Sequence, residues 1–382
     1  MRRISFIFAV CCISFLVAPF SAYSAAVLPV VTGYSKQAEK ILPSVVGVFV
    51  AGNTANVSEN EKLLPSLQNT LVGRLPDDFL ADLSAIGSGV IVSKDGDVLT
   101  NAHVIEGSDE VMVMLDNGKN YTAKVVGRDA ETDIALLKLQ NSPELKFVSF
   151  GNSDKTKVGD VVLAAGNPYG LGNSLSFGII SARFRDVYIG AYDDFLQTDV
   201  AINKGSSGGP LFNDKPELIG LNTAILSQDG NASGISFAIP SKVVKSVYDE
   251  LKKNGKVKRG KIGVKVQPLS NEFAEFLGLN SAAGALISYV EPDGAAARVG
   301  IEAGDVILKF GGVKIENMRQ FPKLVASAEV GSLVDVVLWC EGQEITLKVK
   351  IEEMDGSETV RGNNDNGGNN KLLRLEDGDY EN

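Results

Sequence analysis

The sequence predicts a mainly β protein: two packed antiparallel barrels closed by a helix, then a small α+β domain. Three observations carry this. Short runs rich in Val, Ile and Leu follow one another from Val45 onward, in two groups of about six, with turn residues between them. Helices do not alternate with these runs, which argues against a parallel sheet and for barrels. Beyond a short basic linker, residues 260–351 carry their own strands and helices.

The chain opens on "MRR", an apolar run "ISFIFAVCCISFLVAPF", and small residues with Ala22 and Ser24 placed as at a cleavage site. Residues 1–24 therefore read as a secretory signal peptide, with an uncleaved inner-membrane anchor as the alternative. Either way the rest of the chain is exported, in a periplasmic or similar location. Cys11 and Cys12 lie in this segment and leave Cys340 alone, so the exported chain has no internal disulfide. Its domains must be held by their cores, which 382 residues at 44% hydrophobic content allow. The formal net charge of -10 comes without a basic stretch that outweighs the acids, which speaks against nucleic acid as a partner.

Residues 25–255 hold the barrels. "VVGVFV", "GSGVIVS", "DVLTNAHVI", "EVMVML", "YTAKVVG" and "DIALLKL" form the first group. A long interruption separates Ala51 from Gly87, and long loops on such folds are functional or disordered. "VGDVVLAAG", "LSFGIISAR", "DFLQTDVAI", "GGPLF", "ELIGLNTAIL" and "GISFAIP" form the second. Ser241 then opens "SKVVKSVYDELKKNG", with Val243, Val244, Val247 and Leu251 at helical spacing. Ser241 is placed to cap the start and Gly255 to end it. Residues 256–259 are the linker. In residues 260–351, "KIGVKV", "GALISYV", "DVILKFGG", "VDVVLWC" and "EITLKVKI" read as strands, "NEFAEFLG" and "MRQFPKLVASA" as helices. Residues 352–382 are acidic and rich in Asn and Gly, the composition of a disordered tail.

The chemistry concentrates in three places. His103 is the only histidine and stands at the end of the run "DVLTNAHVI", where a barrel rim can present it. Asp133 precedes the apolar "IALLKL", which lets it be partly buried and aimed inward. "NKGSSGGPLF" sets Ser206 and Ser207 among glycines. Serine catalysis needs a base, a carboxylate that fixes the base's tautomer, and amides that hold an oxyanion. Glycines let backbone N–H groups converge, and the amides of Gly205 and Ser207 would form such a hole. The order His, Asp, Ser is that of two-barrel serine proteases. No Cys/His cluster has metal-ligand spacing, and no Gly-rich phosphate-binding motif is present, so neither cofactor nor metal is expected.

"TNAHVI", "TDIALLKL", "GNPYGLGNSLSFGIISA", "QTDVAINKGSSGGPLF" and "GLNTAIL", in this order and spacing, resemble the HtrA/Deg family of ATP-independent serine proteases. The resemblance runs from about Ile41 to Ile351. It implies a trypsin-like (chymotrypsin-type) protease domain followed by one PDZ domain. It also implies His103 as base, Asp133 as its orienter and Ser207, followed directly by the glycine pair, as nucleophile. Ser206 stands where the family usually has asparagine. The resemblance places Ile202 and Ile225 as walls of the specificity pocket, which then suits small aliphatic side chains, since apolar walls cannot desolvate Lys or Arg without large cost. It makes "NPYGLGNS" the activation loop and "ARFRDVYIGAYDD" the sensor loop, with Arg185 at its switching position. "RGKIGV" matches the PDZ carboxylate-binding loop, with the amides of Ile262, Gly263 and Val264 facing a peptide C-terminus. A homotrimer built through the N-terminal segments, acting on unfolded or damaged polypeptides, is the implied assembly and role. A membrane-anchored regulatory protease with one substrate, and a non-catalytic holdase, are the alternatives.

Overall fold

The computed structural model describes residues 33–51, 71–76, 79–80, 83–108, 110–187, 190, 192–225 and 234–354. Residues 1–24, expected to be a signal peptide, most of the long first-barrel interruption and nearly all of the acidic tail lie outside the described residues. A short helix, α1 (Ser35–Ile41), precedes the first strand.

The first six strands are β1 (Val45–Ala51), β2 (Leu83–Ile91), β3 (Asp97–Thr100), β4 (Glu110–Met114), β5 (Asn120–Asp129) and β6 (Ile134–Leu139). They close in the order β1-β2-β3-β6-β5-β4, antiparallel throughout. β1 is buried along its whole length because both of its faces are covered. Val46, Val48 and Val50 point into the barrel with Val98, Val113 and Leu137, while Phe49 and Ala51 pack outside it against Leu71, Leu75 and Phe79. Alternate side chains thus serve two cores, which explains an unbroken apolar run where one-sided burial would give alternation.

The second barrel comprises β7 (Val161–Gly166), β8 (Ser174–Arg185), β9 (Phe195–Thr198), β10 (Pro210–Phe212), β11 (Leu218–Ile225) and β12 (Ser236–Pro240), in the closed order β10-β11-β12-β9-β8-β7. Its interior holds Val162, Ala164, Ile180, Leu196, Leu211 and Ile219.

Helix α2 (Ser241–Asn254) follows, burying Val244, Val247, Tyr248 and Leu251. Gly255, at φ 69°, ends it, its N–H donating to Leu251 O. Ser241 does not cap it. Pro240 occupies that position, and the Ser241 hydroxyl instead donates to Gly151 O and accepts from Ser153 N. The helix end docks on β5 so closely that a Cβ at Gly127 would lie 2.2 Å from Gly255 O.

One buried carboxylate ties α2 back to the first barrel. Asp97 in β3 accepts from Lys138 Nζ at 2.9 Å, Tyr248 Oη at 2.8 Å and Lys252 Nζ at 2.7 Å. Burial alone would raise its carboxyl. The bonds from Lys252, Lys138 and Tyr248 outweigh that and hold it at about 2. A carboxyl depressed in the folded state contributes stability above its unfolded value and loses it as pH falls through the folded value. Asp97→Asn is therefore expected to cost about 2 kcal/mol at neutral pH. The gap to wild type should shrink as pH drops from about 4 to about 2. Urea unfolding at neutral and acid pH measures this, and an equal gap at both would refute the assignment.

The third unit pairs β13 (Gly260–Lys261) with β20 (Glu352–Glu353), the last strand among the described residues. Its main sheet runs β14 (Val264–Gln267), β15 (Ala285–Val290), β16 (Val306–Phe310), β18 (Leu333–Cys340) and β19 (Gln343–Lys350), with β17 (Val313–Lys314) on β16. Helices α3 (Asn271–Phe276), α4 (Ala295–Arg298) and α5 (Gln320–Ser327) complete it. Ile262, Ile287, Ile307, Phe310, Phe321 and Val336 form its core.

Candidate active site

β3 ends at Thr100, and His103 opens a 3-10 turn, His103–Ile105, rather than ending a strand. The turn buries Val104 and Ile105, which is why the apolar run continues past the strand. Asp133 immediately precedes β6 with φ 57°, a left-handed backbone that Asp tolerates better than most residues. Its carbonyl accepts from Ala102 N at 3.2 Å and Asn101 Nδ2 at 2.8 Å, so the segment before His103 is bonded to the segment before β6.

The carboxylate faces the imidazole. His103 Nδ1 lies 2.9 Å from Asp133 Oδ1 and 2.8 Å from Oδ2, and His103 N donates to Oδ1 at 3.0 Å. A carboxylate only accepts, so Nδ1 carries the hydrogen and Nε2 keeps its lone pair. Thr223 of β11 donates to Asp133 Oδ2 at 2.7 Å, a bond from the second barrel to the first. Sequence reasoning missed Thr223, although it lies in the quoted "GLNTAIL".

The serine loop comes from the second barrel. Gly205 and Gly208 have φ 84° and 83°. A Cβ at Gly208 would lie 2.3 Å from Ser88 O, and one at Gly209 2.3 Å from Ala165 O. The glycines after Ser207 are thus required by close packing on β2 and β7. Ser206 N donates to Asn203 O at 2.9 Å, Gly208 N to Asn222 O at 2.8 Å and Gly209 N to Ser206 O at 3.0 Å. The amides of Gly205 and Ser207, between these, have no acceptor among the described residues. Ser88 N donates to Ser207 O at 2.8 Å, seating the serine against the first barrel. Within the described residues, no hydrogen bond joins the Ser207 hydroxyl to His103, and such contacts often tighten only with substrate present. The Ser206 hydroxyl reaches only Asn203 N, at 3.4 Å.

Ile202 is buried in the interior cluster of the second barrel. Ile225 closes β11 opposite Ser236, and its side chain lies outside the described residues. Arg185, at the end of β8, donates from Nε to Gln197 Oε1 at 2.8 Å within its own barrel. The ties from the segment after β8 to the third unit run through other residues, which sequence reasoning did not single out. Arg319 donates to Gly190 O at 2.8 Å and pairs with Asp186, and Lys323 donates to Asp193 O. Arg259 of the linker forms a buried bidentate pair with Asp129, at 2.6 and 2.5 Å, and stacks on Tyr192 at 4.9 Å. Burial pushes the Tyr192 hydroxyl up to about 12.

In the third unit, Gly263 takes φ 77°. Ile262 O accepts from Ala296 N and Gly263 O from Glu291 N, both at 2.8 Å. The amides of Ile262 and Gly263 donate to no acceptor among the described residues, and Val264 begins β14.

Residues 87–221 match the trypsin-like peptidase domain family and residues 260–351 the PDZ domain family. A probable periplasmic serine endoprotease DegP-like from Marinomonas sp. (strain MWYL1) is 41% identical over 353 residues, covering 89% of this chain and 74% of that protein. One of the same description from Brucella suis biovar 1 (strain 1330) is 44% identical over 294 residues, 76% of this chain. The chain spans only 57% of the length of that relative. Solved structures of the HtrA-type protease AlgW are also similar. The form with a tripeptide superposes at TM-score 0.72 with 36% identity, covering 85% of this chain and all of that one. The form with a decapeptide gives 0.71 with 35% identity, covering 84% and 99%. The two closed barrels and the following PDZ domain agree with these matches, and the chain belongs to the HtrA family of DegP-like serine endoproteases.

Proposed function

We propose that the chain is an exported, ATP-independent serine endopeptidase that cuts unfolded or damaged proteins, acting through Ser207, His103 and Asp133. The observation that carries this reading is the pair of amides at Gly205 and Ser207 that have no acceptor among the described residues, set in a loop whose Ser206, Gly208 and Gly209 amides are engaged. Asp133 holds the Nδ1–H tautomer, so His103 Nε2 takes the proton of Ser207 as Oγ attacks the scissile carbonyl. The negative oxygen that forms is received by the Gly205 and Ser207 amides. His103 then gives its proton to the leaving amine, and water repeats the sequence to release the acyl group. Unfolded chains suit such a cleft because they expose extended apolar segments, and Ile202 and Ile225 as pocket walls favour small aliphatic side chains. Cleavage of denatured casein without nucleotide, blocked by an organofluorophosphate that labels Ser207, is the expected result. Absence of both cleavage and labelling would reject the reading.

The PDZ domain reads peptide C-termini, with Ile262, Gly263 and Val264 holding the carboxylate. The peptides in the AlgW structures and the ties of Arg319 and Lys323 to the segment after β8 support this. A peptide with a free apolar C-terminus should bind and raise cleavage of a separate substrate. A covalent active-site inhibitor should then tighten peptide binding by the same factor, worth ~1–3 kcal/mol. Arg319→Ala should weaken that coupling, and Arg185→Ala should weaken it if Arg185 switches the loop. Calorimetric titration with and without inhibitor measures this. Equal affinities would leave the domain a simple tether.

A further inference from the structure

We propose that Ser88 is a positioning residue for the oxyanion-binding loop, its hydroxyl joining the Asn167 amide to the Gly205 carbonyl. This rests on the endopeptidase reading above. Ser88 lies in β2 of the first barrel and is fully buried. Its Oγ accepts from Asn167 N at 2.8 Å and donates to Gly205 O at 2.5 Å. Its N–H donates to Ser207 O at 2.8 Å, and its carbonyl accepts from Thr100 Oγ1 at 2.7 Å. One first-barrel residue thus grips the second barrel's serine loop at two carbonyls, on either side of Ser206.

The consequence follows from peptide planarity. Fixing one edge of a peptide fixes the other. The Gly205–Ser206 peptide is held by Ser88 at its oxygen and by Asn203 O at its N–H. The Ser206–Ser207 peptide is held at its oxygen by Gly209 N, which sets the direction of the Ser207 amide. The Ser207–Gly208 peptide is held by Ser88 N and by Asn222 O. The Ser88 hydroxyl also fixes where the segment after β7 begins, because Asn167, itself buried, closes that loop by accepting from Gly172 N at 3.1 Å. The surroundings leave little slack: a Cβ at Gly166 would lie 3.0 Å from Ser88 Oγ.

Removing this hydroxyl leaves a buried N–H, that of Asn167, and a partly buried C=O, that of Gly205, unpaired. Re-pairing them requires the Gly205–Ser206 peptide to turn, which moves the neighbouring Gly205 and Ser207 amides. These amides act on the oxyanion and not on the bound substrate, so the loss falls on kcat and spares KM.

The test uses the full chain with Ser88→Ala and, as an isosteric control, Ser88→Cys. Removing a direct oxyanion donor costs ~10²–10³ in kcat. An indirect support is expected to cost about 10- to 100-fold in Ser88→Ala, with KM within about two-fold. Ser88→Cys should fall between Ser88→Ala and wild type. Affinity for a peptidyl boronate, which forms a tetrahedral adduct, should drop by the same factor as kcat/KM. A Ser88→Ala enzyme with wild-type kcat overturns the proposal. So does a loss that follows only the folded fraction in both variants, or one that appears in KM alone. If wild type itself neither cleaves casein nor is labelled at Ser207, the endopeptidase reading has failed and this inference falls with it. If wild type does both while Ser88→Ala matches it, this inference alone has failed.

Discussion

Ser207→Ala is expected to lower kcat by about six orders of magnitude, while Ser206→Ala stays within a few-fold of wild type. The two serines are adjacent, and the difference comes from the backbone around them. The glycine pair that follows Ser207 is packed against β2 and β7, which anchors the loop on the Ser207 side. The Ser207 amide has no acceptor among the described residues, and the Ser207 carbonyl is bonded to Ser88 of the first barrel, the barrel that bears His103 and Asp133. Ser206 offers the loop mainly its backbone: its N–H and carbonyl hold the turn, and its hydroxyl makes one long contact at 3.4 Å. Replacing that hydroxyl removes nothing the chemistry uses. Ser206→Asn should likewise remain active. Steady-state cleavage of a chromogenic peptide, with organofluorophosphate labelling, separates the cases. A Ser206→Ala enzyme as inactive as Ser207→Ala would move the nucleophile and undo the site.

Much of the fold was legible because its signal is local. All twelve barrel strands overlap apolar runs bounded by turn residues, although β2 begins at Leu83, inside the stretch read as an interruption. So does the helix that buries Val244, Val247 and Leu251. Errors arose where an apolar run served a different geometry. Val104 and Ile105 prolong the β3 pattern, yet they are buried by a 3-10 turn, and this places His103 beyond the strand. Ser241 has the chemistry of a cap, but Gly151 and Ser153, about ninety residues away in sequence, compete for its hydroxyl and win. What the sequence hid entirely are the long-range polar partners. Ser88 bonds a carbonyl 117 positions on, Thr223 a carboxylate 90 positions back, and Arg259 a carboxylate 130 positions back. No periodicity encodes such pairs. The nearest hint is compositional: "GSG" at Gly87–Gly89 marks a stretch where other groups come close, as the Val104 side chain and the Ser207 carbonyl do at Gly87.

Asp133→Asn is expected to lower kcat by about 10⁴-fold with KM little changed, equivalent to about 5 kcal/mol of transition-state stabilisation. Asparagine is the informative replacement because it preserves nearly everything except the charge. It tolerates the φ of 57° at this position, so the backbone bonds from Ala102 and Asn101 to the carbonyl should persist. Its side chain also fills the same space. The carboxylate, however, accepts three hydrogens, from His103 N, His103 Nδ1 and Thr223 Oγ1. A carboxamide has only one oxygen for them. If that oxygen takes the Oδ1 place and stays with His103 N, the NH₂ group takes the Oδ2 place, where it meets Thr223 Oγ1, a hydroxyl that can turn to accept, and His103 Nδ1, which can satisfy it only as an acceptor. The ring then carries its hydrogen on Nε2, where the proton of Ser207 must go. The base is present but in the wrong tautomer, and the protonated ring that forms during attack also lacks its counter-charge. Both losses act on the transition state. Labelling of Ser207 by organofluorophosphate should slow in parallel, since it needs the same proton transfer. With His103 the only histidine, the acid limb of wild-type kcat/KM should be a single-proton limb. An Asp133→Asn enzyme that keeps a tenth or more of wild-type kcat would show that the carboxylate does not set the tautomer. A double variant with His103→Ala completes the test: it should be scarcely worse than His103→Ala alone, because Asp133 acts only through that ring.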